Sequence, residues 1–185
     1  SNLARLVQSG IRVPPGFCLG VDAYRVLSEA CRIDDEAQQL LQDFDPNDFG
    51  KLASISESLQ GLIRSRDLQP EVERQLLRAY DLLLDKSGDP KLSVAVRSSA
   101  TAEDLPEHSF TGQHDSYLGV RGYEDLIERV KHCWASLWNP QAIHYRQVRG
   151  YRAAPSVYVR GGSGHDSGGL RGGAVHRQSG DRGGF

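Results

Sequence analysis

Two apolar periods run along the chain. Leu92, Val94 and Val96 alternate with Ser93, Ala95 and Arg97, which is the repeat of a half-buried strand. Val72, Leu76, Leu77, Tyr80, Leu83 and Leu84 recur at three and four, so they predict a buried helix stripe, opened by Gln69-Pro70-Glu71 and closed by Gly88. Leu126, Ile127, Val130, Trp134, Leu137 and Trp138 form a second stripe, with Glu124 and Asp125 in its first turn and Asn139-Pro140 stopping it and starting the next helix. Upstream, a first helix is expected to end near Gly10. Val13-Pro14-Pro15-Gly16-Phe17 reads as extended, Asp22 as the N-cap of a helix to about Cys31, and Asp45-Pro46-Asn47 as another helix start. Trp134 and Trp138, four apart, have the spacing of a base-stacking platform, but on an apolar stripe they read as core.

Composition sharpens this outline at the C-terminus. Ten of the twenty-six residues from Arg160 to Phe185 are Gly, and the apolar periodicity stops there, which is the composition of a disordered tail. The expected division is a folded unit over 1–152 and a Gly/Arg-rich tail over 153–185. The net charge of −2 selects no strongly charged partner, and no apolar run approaches the ~18 residues of a membrane span. Cys18, Cys31 and Cys133 have neither metal nor redox spacing and read as reduced thiols, so the cytoplasm is the expected compartment.

The candidate chemistry gathers at Ser93-Val94-Ala95-Val96-Arg97-Ser98-Ser99-Ala100-Thr101-Ala102-Glu103-Asp104-Leu105-Pro106. A guanidinium leaving a strand beside small residues suits phosphate oxygens, whereas the plainer reading is a solvated cation or a partner of Glu103 or Asp104. Downstream, His108-Ser109-Phe110-Thr111-Gly112-Gln113-His114-Asp115-Ser116 supplies a Gly-containing turn whose N–H groups could approach an anion, and Ser116 adds a hydroxyl. His108 and His114 flank that turn and read as solvated loop residues, while His132 and His144 read as helix-surface groups. Glu103 and Asp104 are expected to order the loop or pair with Arg97, and no metal ligand is assigned.

The stretch Val94–Val120, with Gly10-Ile11-Arg12-Val13-Pro14-Pro15-Gly16-Phe17 upstream and Cys133-Trp134-Ala135-Ser136-Leu137-Trp138 downstream, resembles the nucleotide-binding domain of phosphoenolpyruvate synthase and pyruvate phosphate dikinase. Rifampin phosphotransferase shares this module. The resemblance runs from Ser1 to about Arg152. It implies an α+β fold, the N-terminal part of an ATP-grasp domain, in which a helical region precedes antiparallel strands and further helices. It also implies Mg-ATP as ligand, with Mg2+ as cofactor, and phosphoryl transfer to a histidine on a separate domain. Residue by residue, it carries over to Arg97 as a phosphate contact, Gly112 as the glycine of the loop over the phosphates, and Ser116 as a lining hydroxyl.

Two departures shape the functional expectation. In the family a Gly-Gly-Lys turn precedes the segment matching Ser1-Asn2-Leu3-Ala4-Arg5-Leu6, whereas here the first lysine is Lys51 and a truncated start is expected. In the tail, codons for Ser163 through Gly180 read one nucleotide later can encode Gln-Val-Met-Ile-Pro-Ala-Asp-Ser-Ala-Gly-Val-Leu-Phe-Thr-Ala-Asn-Pro-Val, similar to the family's next segment. A change of frame between about Ala153 and Arg160 is therefore expected. The competing reading is an RNA-binding tail built on Arg160-Gly161-Gly162, Arg171-Gly172-Gly173 and Arg182-Gly183-Gly184. The expected function is the ATP-binding fragment of a phosphoenolpyruvate synthase-like phosphotransferase, inactive alone, with pyruvate engaged only through domains beyond this chain. The alternatives are a fragment of an antibiotic kinase of the rifampin phosphotransferase type, and a non-enzymatic module with the RNA-binding tail.

Overall fold

The computed structural model describes residues 15–42, 44–45, 47–100, 116–149 and 155–161. Strand β1 (Gly16–Leu19) leads into helices α1 (Val21–Cys31), α2 (Ile33–Leu41), α3 (Phe49–Ser65) and α4 (Pro70–Ser87). Strands β2 (Val94–Ala100) and β3 (Ser116–Val120) follow, then α5 (Gly122–Ala135), a 3-10 turn (Ser136–Trp138), α6 (Pro140–Arg149) and β4 (Pro155–Gly161). The fold class is α+β, as expected.

Local chemistry accounts for most boundaries. Pro70 opens α4 at the one position where its missing N–H costs nothing, and Gly88 closes it with φ 67°, its N–H donating to the Leu84 carbonyl at 3.1 Å. Asp48 caps α3 by accepting from the Lys51 N–H at 3.0 Å, so that helix starts at Phe49 rather than at the Asp45-Pro46-Asn47 stretch; Asp45 instead accepts the Asn47 N–H at 2.9 Å in a local turn. Asp22 does not cap α1. Gly20 occupies the cap, and Asp22 lies in the first turn paired with Arg25, where its charge still faces the positive helix end. Asn139 caps α6 by accepting the Ala142 N–H at 2.7 Å. The first helix expected before Gly10 and Pro46 itself lie outside the described residues.

The four described strands form one antiparallel sheet in the order β1-β4-β2-β3. Arg97 is therefore the fourth residue of an inner seven-residue strand. Strand β4 falls beyond the boundary expected at 152, and it is bonded on both sides, to β1 and to β2.

Alternation gives the sheet two unlike faces. Leu19, Val94, Val96, Val120, Val157 and Val159 are buried in one cluster with Leu126, Val130, Cys133 and Trp134 of α5. Each side chain of this size contributes ~1.5–3 kcal/mol on full burial. Trp134 is fully buried and Trp138 is 7% exposed, which confirms both as core. A polar knot ties the helices together: Trp138 Nε1 donates to the Tyr24 hydroxyl at 2.9 Å, Ser56 Oγ donates to the Trp138 carbonyl at 2.7 Å, and the Arg146 guanidinium stacks 4.2 Å over the Trp138 ring. Among the described residues no helix is long and apolar enough to cross a membrane.

Candidate functional site

Arg97 projects from the face opposite the apolar cluster. Its neighbours across the sheet are Ser116 on β3 and Tyr158 on β4, and Tyr158 in turn faces Cys18 on β1. One rung thus carries Cys18, Tyr158, Arg97 and Ser116 in order, with Cys18 and Ser116 exposed and Tyr158 and Arg97 half-buried. Two of the three residues expected to contact phosphate are brought side by side. Gly112, the third, lies outside the described residues, as do Glu103, Asp104, His108 and His114.

The Arg97–Ser116 pairing depends on an irregularity in β3. Val94 faces Val120, whereas Val96 faces Tyr117, so β3 contains one more residue than β2 over this interval. Gly119 lies inside the extra length with φ 77°, the left-handed conformation of a glycine bulge. In an unbroken register Ser116 would stand opposite Ser98 and turn toward the helices. The bulge reverses that, presenting Ser116 beside Arg97 and turning Tyr117 inward, where His132 meets its ring edge-on at 5.9 Å and Arg129 lies 5.3 Å from its centroid.

Ser98 belongs to the other face. It is 8% exposed, opposite Val157, and its Oγ has no hydrogen-bond partner. Of the hydroxyls following Arg97 in the chain, this one points away from the guanidinium.

Tyr158 and Arg160 share the open face with Arg97, and the expected division had placed both in the tail. The readable signal was Val157-Tyr158-Val159-Arg160, a period-two alternation overshadowed by the glycines that follow. Burial pushes the Tyr158 phenol up from its usual range, and the nearby Arg160 charge acts against that. Gly16, opposite Arg160, leaves space for the ring: a Cβ there would lie 2.5 Å from the Val159 carbonyl oxygen and 3.0 Å from the Tyr158 hydroxyl.

This face offers guanidinium and hydroxyl donors with no acid among its described residues, a set that matches phosphate oxygens. A cavity of about 330 Å³ between α3 and α6 is a different place. Phe49, Leu52, Pro140, Gln141, His144 and Tyr145 line it, and it contains no Lys or Arg. Among the described residues no three His, Cys, Asp or Glu side chains gather in a way that could hold a metal ion. His132 is held on its own helix, its Nδ1 2.8 Å from the Glu128 carbonyl oxygen. Cys18 is exposed, Cys31 half-buried and Cys133 buried.

Residues 1–161 match the family described as pyruvate phosphate dikinase, AMP/ATP-binding domain. A probable phosphoenolpyruvate synthase of Methanocaldococcus jannaschii is 37% identical over 151 residues, covering 82% of this chain and 13% of the relative. One from Staphylothermus marinus is 42% identical over 152 residues, covering 81% and 18%. The phosphoenolpyruvate synthase of Deinococcus radiodurans is 41% identical over 141 residues, covering 76% and 17%. The chain spans less than a quarter of the length of each of these relatives.

Proposed function

The chain belongs to the pyruvate phosphate dikinase AMP/ATP-binding domain family, and from that premise we propose that it is the ATP-holding part of a phosphoenolpyruvate synthase-like phosphotransferase. The carrying observation is the rung that sets Arg97 beside Ser116 on the open sheet face. Arg97 offers a planar fork to phosphate oxygens and Ser116 a hydroxyl donor, while Gly112, assigned to the same site by resemblance, lies outside the described residues. The fold around them is the first part of an ATP-grasp domain.

In the whole protein, ATP bound here supplies a phosphoryl group that passes to a carrier histidine and then to pyruvate, giving phosphoenolpyruvate. The residues of this chain bind and orient the polyphosphate, and the acceptor is chosen by domains beyond it. No residue of this chain is assigned a role in holding Mg2+. The tail is read as a change of frame; the family match over residues 1–161 supports a point of change at the end of β4, later than the interval from about Ala153 to Arg160 expected from the sequence. The encoding DNA sequence decides this point.

The test is nucleotide titration of the 185-residue chain by calorimetry. ATP should bind, and Arg97→Ala should weaken it by roughly 10- to 100-fold, the loss of a charge-assisted contact of ~1.5–3 kcal/mol. Equal affinity in the variant, with an unchanged circular dichroism spectrum, refutes the assignment.

A further inference from the structure

Strand β4 delivers a second guanidinium to the face that carries Arg97. Arg160 is opposite Ala95 on β2, and Arg97 is opposite Tyr158 on β4, so the two arginines are diagonal neighbours across one strand pair. Diagonal Cα atoms of this kind lie ~7–8 Å apart, within reach of two long side chains. Ala95 between them is small, and beyond Arg160 the next position across the sheet is Gly16, which has no side chain. Arg97 and Arg160 are both half-buried residues, and among the described residues neither has an ion-pair partner within 4.0 Å.

Two like charges on a partly desolvated face repel each other unless an anion lies between them. A single phosphoryl group neutralises one fork well. A chain of phosphoryl groups engages both forks at once, each with its own pair of oxygens. The Tyr158 hydroxyl lies close to Gly16 on the β1 side, where a Cβ would come within 3.0 Å of it.

We propose that Arg160 is a second polyphosphate contact, acting with Arg97 so that this face distinguishes di- and triphosphates from monophosphates. The inference rests on the reading that the open face holds the phosphates of the nucleotide. It assigns a binding role to a residue that chain composition had placed in the tail.

Titration of the 185-residue chain with ATP, AMP and inorganic tripolyphosphate tests it. Arg160→Gln is expected to raise the dissociation constants for ATP and tripolyphosphate about tenfold while leaving that for AMP within about twofold. Arg160→Lys, which keeps charge and reach but loses the fork, should fall between them, and it serves as the measured variant if Arg160→Gln melts unlike the parent. Should Arg97→Ala lose ATP while Arg160→Gln and Arg160→Lys keep it, the second contact is wrong and the first stands. An equal loss of AMP and ATP in the Arg160 variants overturns the discrimination. A parent chain that binds neither ATP nor tripolyphosphate overturns both readings.

Discussion

Tyr24 accepts the indole N–H of Trp138 in an interior where neither group has water to fall back on. Burial pushes its phenol up to about 12, and burial likewise pulls Arg146, stacked on the same indole, down to about 10. Removing the acceptor strands a buried donor, so Tyr24→Phe should destabilise the chain by about 1–3 kcal/mol at neutral pH, measured by denaturant unfolding. The alkaline behaviour supplies a second check. The unfolded Tyr24 loses its proton near 10 and the folded one near 12, so its contribution is complete below pH 10 and is lost as pH rises toward 12. The stability gap between parent and Tyr24→Phe should therefore narrow over that interval, and a constant gap contradicts the assignment. None of this knot could be read along the chain, because Tyr24 and Trp138 are 114 residues apart. The apolar stripe revealed only that Trp138 was buried.

At the scale of elements, β3 shows how one conformation decides which chemistry faces out. Gly119 at φ 77° absorbs the extra residue that turns Ser116 toward Arg97. A side chain at that φ is strained, by ~1–2 kcal/mol for an L residue, even though nothing lies within 4 Å of the space a Cβ would fill. Gly119→Val should accordingly lower stability by about that amount or more, and β-branching makes the left-handed conformation still less accessible. Where the strand escapes the strain by shifting register, Ser116 turns inward and ATP affinity falls together with stability. A Gly119→Val chain with parental melting temperature and parental ATP affinity would show that the bulge does not set the pairing. The helices were far more legible than this strand. Pro70, Gly88, Glu124 and Asn139 mark helix ends through interactions confined to one turn, whereas the cap of α1 went to Gly20 rather than Asp22 because the chain leaves β1 already extended at that point.

For the molecule as a whole, β4 is the strand on which the sheet depends. It bonds to β1 on one side and β2 on the other, and Val157 and Val159 are fully buried. A chain ending at residue 152 loses that strand and should lose cooperative thermal melting, whereas a chain ending at 161 keeps every described element and should melt like the parent. Equal melting of the two shortened chains would show that the sheet closes without β4. The amino-acid order by itself determined the helices, the buried stripes and the family, because each is written in neighbouring residues or in a contiguous motif. Tertiary structure alone decided that Ser116, Tyr158 and Arg160 stand on the same face as that guanidinium. Strand order and the bulge bring together residues far apart in the chain, and a face shared across strands has no period along any one of them.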